Sequence, residues 1–153
     1  MLINKYIRVA IIKSDLMPVI GIGMNSIEAK KQTDVVGGSV KVKSQTDLKE
    51  VKKHKIPGME SEALSVDFEF KTDYLSPDDE KELASITIGG TVLFVGDKIE
   101  ETFEKWKKDG TLPEDVSIQV INMILDKCSK KALILSDDLQ LPSPIALPFA
   151  KKK

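Results

Sequence analysis

The chain has 153 residues, 41% of them apolar and 31% charged, with a formal net charge of −1. That length and apolar content suit one domain with one core, and a balanced charge gives no global field to draw in nucleic acid or a membrane surface. Arg8 is the sole arginine among 23 basic residues, so the bidentate fork that reads guanine or clamps phosphate is nearly absent, and no nucleic-acid partner is expected.

The N-terminus, Met1 to Tyr6, lacks the basic region, apolar stretch and small-residue cleavage site of a secretory leader. No run approaches the roughly eighteen apolar residues of a membrane span. A cytoplasmic protein without membrane insertion is expected. Its Lys/Glu-rich surface and single cysteine are also compatible with a thermophile.

Residues Tyr6 to Ile12 form a β-rich run with Ile7, Val9 and Ile11 on one face. Pro18 and the Gly21/Gly23 pair then predict an interruption. Ile27, Ala29 and Lys31 begin a second strand that ends at Gly37-Gly38, and Val40 and Val42 mark a half-solvated strand. Between Ser44 and Glu62 the pattern is lost among lysines, acids, Pro57 and Gly58, which predicts a charged loop or excursion over 44–62. Leu64, Val66, Phe68 and Phe70 alternate strictly with Ser65, Asp67, Glu69 and Lys71, a strand with one apolar and one wet face. Ser76 to Asp79 turns the chain into an antiparallel partner, Leu83 to Val95. Gly89-Gly90 predicts a bulge there that swaps the buried face from Ile86/Ile88 to the Val92–Val95 run.

Asp97 and Glu100 have capping-box spacing, Ile99, Phe103 and Trp106 recur at helical spacing, and Gly110 supplies a C-cap. A second helix starts near Pro113, with Glu114 and Asp115 complementing its dipole. Val116, Val120, Ile121, Ile124, Leu125 and Cys128, widened by Ile118 and Met123, make it apolar around much of its circumference. Such a helix needs its own sheet beneath and something above it: the C-terminal tail, a second subunit or a client. The proline-rich segment Leu141 to Pro148 follows, and 151–153 is a frayed lysine tail.

No catalytic constellation stands out. Gly21-Ile22-Gly23-Met24-Asn25-Ser26 superficially matches a dinucleotide glycine fingerprint, but without a strand–helix context it reads as a glycine-rich turn. His54 is the sole histidine, in loop-like sequence, and Cys128 reads as a small core residue; one cysteine excludes an internal disulfide and a four-cysteine zinc site. Of the carboxylate pairs, Asp67 with Glu69 lies on a wet strand face, while Asp78/Asp79 and Asp137/Asp138 fall in turn-like sequence suited to helix caps. Phe103 and Trp106 either pack in the core or line a surface for extended apolar peptide. No enzyme activity, metal or cofactor is expected.

The order of the pieces resembles the SecB-type export chaperones. The resemblance rests on the last strand with its Gly-Gly step (Ile86, Ile88, Gly89, Gly90, Val92, Phe94, Gly96), the two helices after it, and the extended segment Leu139 to Ile145. It covers mainly 64–147. It implies one α+β domain over 1–150: an antiparallel β-sheet of about four strands with two helices packed on one face. Lys131 to Asp138 departs from the family by adding apolar sequence before the tail. The implied function is ATP-independent binding of non-native polypeptide by a homo-oligomer, with Phe68, Phe70, Phe94, Phe103 and Trp106 as peptide-binding candidates. Asp67 and Glu69 resemble the family's acidic partner-docking surface. A structural or interaction subunit sharing the fold without holding clients is the alternative, and a small enzyme using carboxylates or Cys128 is a third reading.

Overall fold

The computed structural model describes residues 19–32, 39–55, 57–58, 62–96, 98–148 and 150. The expected strand Tyr6–Ile12, the Gly37-Gly38 break, Asp97 and the lysine tail lie outside the described residues. Four strands, β1 (Val19–Lys31), β2 (Lys41–Lys55), β3 (Glu62–Leu75) and β4 (Glu82–Val95), precede helices α1 (Ile99–Asp109) and α2 (Glu114–Asp138). The sheet order is β1-β4-β3-β2, with every neighbouring pair antiparallel. Both helices lie on one face, α1 against β2 and β3 and α2 mainly against β4 and β1. This is the expected α+β architecture.

The alternation predicted for β3 holds along its length. Leu64, Val66, Phe68, Phe70 and Tyr74 point into the core, while Asp67, Glu69, Lys71 and Asp73 stay half-exposed on the open face. In β4 the predicted face swap does not occur: Ile86, Ile88, Gly90, Val92 and Phe94 all remain on the buried face. Pairing with β3 runs without a shift through Glu69↔Gly89 and Phe68↔Gly90. The bulge belongs instead to β1, where the register slips between Met24 and Ser26 opposite the glycine pair. Gly90 is glycine because a Cβ there would run into the Phe68 ring and the Gly23 carbonyl.

Two further expectations need correction. Gly21 and Gly23 are not a turn; they lie inside β1, which begins at Val19. The charged loop expected over 44–62 is strand as far as Lys55. Its period was hidden by a bulge between Leu48 and Glu50. Before it, Val42, Thr46 and Leu48 share the helix-side face; after it, Val51 does, opposite Val66. One extra residue therefore moves the inward set from even to odd positions.

Along α2, Val116, Val120, Ile124, Cys128 and Ala132 recur every four residues and form a row buried against the sheet. Each large apolar side chain so buried contributes about 1.5–3 kcal/mol. Lys131 to Asp138 continues this helix to a length of 25 residues. Beyond it, Lys31 Nζ donates to the Leu139 carbonyl at 3.2 Å, setting a cation at a helix end that carries none in its own last turn. The tail then tucks Leu141 into the core, and Tyr74 Oη donates to the Pro142 carbonyl at 2.8 Å. The expected stop of α1 is in place: Gly110 adopts φ 70°, and its amide donates to the Trp106 carbonyl at 2.7 Å.

Candidate functional site

The helical layer decides which of the expected peptide-binding residues are accessible. Phe68, Phe70 and Phe94 are 3%, 2% and 1% exposed and belong to the core, so they offer no surface to a peptide in this conformation. The alternation that made β3 recognisable also sends its aromatic side chains inward. Phe103 and Trp106 are half-buried on α1, packed against the core from above. Lys53 Nζ sits 4.8 Å from the Phe103 ring centroid and 2.9 Å from Glu100, so the edge strand grips α1 by a cation–π contact and an ion pair. The Glu100 hydrogen bond raises the Lys53 pKa, with burial opposing it. Glu100, expected to reach back to its own helix start, is used for this contact, and among the described residues Lys98, the N-cap of α1, makes no side-chain cap hydrogen bond.

Apolar surface remains elsewhere on the layer. Ile118, Leu125 and Ile134 of α2 are 53%, 40% and 56% exposed, and Met24 and Ile27 of β1 and Ile145 and Leu147 of the tail are also exposed. The breadth of the predicted α2 stripe signals Ile118 and Leu125; Ile134 falls in the added apolar sequence Lys131 to Asp138, Ile27 at the start of the predicted second strand, and Met24 in the predicted glycine-rich turn. The two sheet edges also differ. β2 carries Lys41, Lys43, Lys49, Lys52, Lys53 and Lys55, charges that discourage another strand from pairing there. β1 has no charged residue from Val19 to Ile27.

The open face of the sheet is chemically different. Asp67 and Glu69 both lie on it, and Thr91 Oγ1 donates to Asp67 Oδ1 at 2.8 Å. Beside Asp67 a trough of about 500 Å³ crosses all four strands, lined by Gly21, Gly23, Lys52, His54, Ser65, Asp67 and Thr91 among others. His54 Nε2 lies 2.8 Å from Ser65 Oγ at its β2 end.

The residues considered for catalysis are dispersed. His54 is on the open face, whereas Cys128 is fully buried on the helix side, with the sheet between them. Burial pushes the Cys128 thiol up to about 11, which keeps it protonated and unreactive near neutrality. Asp79 sits in the β3–β4 turn and accepts from the Lys81 amide at 3.2 Å; that bond first, then Ser76, holds its carboxyl below the usual range. Asp137 and Asp138 are the last residues of α2, where a carboxylate opposes the helix dipole, so they lie in helix and do not serve as the caps expected of them. Among the described residues, no three or more His, Cys, Asp or Glu side chains gather closely enough to hold a metal ion. No helix among them is long and apolar enough to cross a membrane.

No family model matches the chain, and no curated protein matches it. Among solved structures it is similar to a SecB-like chaperone of Mycobacterium tuberculosis, determined in complex with a ChAD peptide from the HigA1 antitoxin. The two are 12% identical with a TM-score of 0.55, and the match covers 95% of this chain and 99% of the other. The likeness establishes a shared fold, the one the order of strands and helices had suggested.

Proposed function

We propose that this protein binds non-native or partner polypeptide without ATP, as a SecB-like chaperone does. The observation that carries the reading is the apolar surface left by the helical layer: Ile118, Leu125 and Ile134 outward on α2, beside the uncharged edge of β1. A monomer that displays such a surface has reason to cover it. An extended chain can pair its backbone with β1 and set alternate side chains against Met24 and Ile27. A second copy can use the same edge and the exposed α2 residues Ile118, Leu125 and Ile134, so a cytoplasmic homo-oligomer is part of the reading. Phe103 and Trp106, half-buried on α1 over β2 and β3, offer a second aromatic contact on the other side of the helical layer. Asp67 and Glu69, on the opposite face, take a partner protein instead of a client. The solved counterpart's peptide supports polypeptide binding as the common theme.

The test is suppression of aggregation. Purified protein at stoichiometric ratio is added to a chemically unfolded substrate, and turbidity is followed without nucleotide. Slowed aggregation that is lost in the double variant Ile118→Lys, Leu125→Lys supports the reading. Unchanged aggregation leaves the structural-subunit alternative, in which the same surface only joins copies. Light scattering on both forms then measures whether the double variant is smaller than the parent.

A further inference from the structure

The outer side of β1 lacks the devices that keep a sheet edge from pairing. β2 guards its own outer side with lysines, whereas β1 carries no charge from Val19 to Ile27, and among the described residues no strand lies beyond it. Edges left in this condition are templates for another strand, so natural sheets charge them, interrupt them or cover them.

The register with β4 sets what a covering strand must look like. Ile22 and Met24 stand opposite Val92 and Gly90 on the helix side, and 36% of Met24 is exposed. Gly21 and Gly23 stand opposite Leu93 and Thr91 on the open side, where nothing lies within 4 Å of a Cβ added to either glycine. The complement is therefore apolar at every second residue, toward Ile22 and Met24. Its remaining side chains can be large, because the glycines leave them room.

The chain carries such a segment just before β1. In 6–12, Ile7, Val9 and Ile11 alternate with Tyr6, Arg8, Ala10 and Ile12. Residues 13–18 include Ser14, Asp15 and Pro18, residues suited to the reversal between antiparallel strands. The antiparallel register that pairs the whole run ahead of the β1 bulge sets Ile12 opposite Val19 and Tyr6 opposite Asn25. Val9 then meets Ile22 and Ile7 meets Met24, while Ala10 and Arg8 meet Gly21 and Gly23. Arg8, the sole arginine, joins the face that carries Asp67 and Glu69. A slip of one residue would instead set Arg8 beside Ile22 or Met24 and the isoleucines beside the glycines.

We infer that residues 6–12 dock on the outer edge of β1 as a further antiparallel strand, with Ile7 and Val9 against Met24 and Ile22. The consequence rests on the reading proposed above: a client or second copy that pairs with β1 displaces this segment, so the chain carries its own competitor for the site. The test needs no client, so failure of the docking and failure of client holding are visible separately.

In the full chain, Val9→Cys is combined with Ile22→Cys; Cys128 is buried and stays out of the exchange. Direct cross-strand partners bring their Cβ atoms within disulfide reach, and residues on opposite faces do not. The expected result is a bond within one chain that forms about tenfold faster than in Val9→Cys with Gly23→Cys. Non-reducing electrophoresis separates it from a link between chains. Equal rates for the two pairs overturn the inference, and so does a link mainly between chains, which would put a second copy on the edge. Hydrogen exchange on the unsubstituted protein is the second measurement. The outward amides of 21–24 are expected to exchange about tenfold more slowly than those of β2, and Val9→Pro should abolish the difference. Equal exchange at the two edges, or protection that survives Val9→Pro, overturns the inference as well.

Discussion

Gly90 of β4 lies against the ring of Phe68, its register partner on β3: a Cβ on Gly90 would stand 2.8 Å from Phe68 Cζ and closer still to the Gly23 carbonyl on the other side. Backbone on one flank and a fully packed ring on the other leave no route for relaxation. At Gly89 the closest neighbour of an added Cβ is Ser26 Oγ at 2.5 Å, a hydroxyl that can rotate away. Gly90→Ala is therefore expected to cost about 2–4 kcal/mol and Gly89→Ala less than about 1 kcal/mol. Urea titration of both variants checks the difference, and equal costs would contradict the packing described.

The same glycine pair shows where sequence reading stops. Its position in a strand was visible, and so was the need for a local irregularity; which strand carries the bulge depends on β1, which pairs from sixty-odd residues upstream (Met24↔Gly90). β3 was legible because its inward and outward residues alternate without interruption from Leu64 to Tyr74. β2 was not, because the slip between Leu48 and Glu50 breaks its pattern midway and lysines fill both phases. The resemblance offers Phe68 and Phe70 as peptide ligands, although the alternation around them already sets them on the buried side. Asp67 and Glu69 were placed on the wet face by that same rule. The trough was invisible, since its walls come from four strands that only the sheet register brings together.

Tyr74 holds the C-terminal tail. Its side chain is fully buried, and its hydroxyl reaches the Pro142 carbonyl at 2.8 Å, next to the buried Leu141. Tyr74→Phe keeps the ring and removes the hydroxyl's contacts with the Pro142 carbonyl and with Ser136, for an expected loss of about 1 kcal/mol. The tail should loosen more than the sheet. Hydrogen exchange at residues 141–147 is expected to accelerate in the variant while amides of β3 and β4 stay protected, and uniform acceleration across the sheet would assign Tyr74 a global role instead.

Thr102 offers the opposite sign. It is fully buried under α1, and among the described residues its Oγ1 has no hydrogen-bond partner. A hydroxyl taken from water without compensation costs free energy that a methyl of the same shape does not. Thr102→Val should raise stability by about 1 kcal/mol, read as a higher urea midpoint with an unchanged slope. A lower midpoint would mean that the hydroxyl has a partner after all.

Cys128 predicts how the protein responds to alkali. Desolvation in the core lifts its thiol from 9.0 to about 11. The unfolded chain thus releases this proton more readily than the folded one, so the stability linked to it is complete below pH 9 and is lost as pH rises through 11. The loss reaches about 2 kcal/mol by the upper end. Tyr74, whose phenol burial also shifts upward, adds to the decline in the same direction. Cys128→Ala separates the two. It creates a small cavity that costs about 1 kcal/mol at neutral pH, but it has no thiol to ionise. The gap between parent and variant should close and then reverse between pH 9 and 11, while both keep the tyrosine-linked decline. Unfolding free energies measured in urea at half-unit steps across that range provide the check, and a gap that stays constant with pH would mean that the Cys128 thiol ionises as easily in the folded protein as in the unfolded chain.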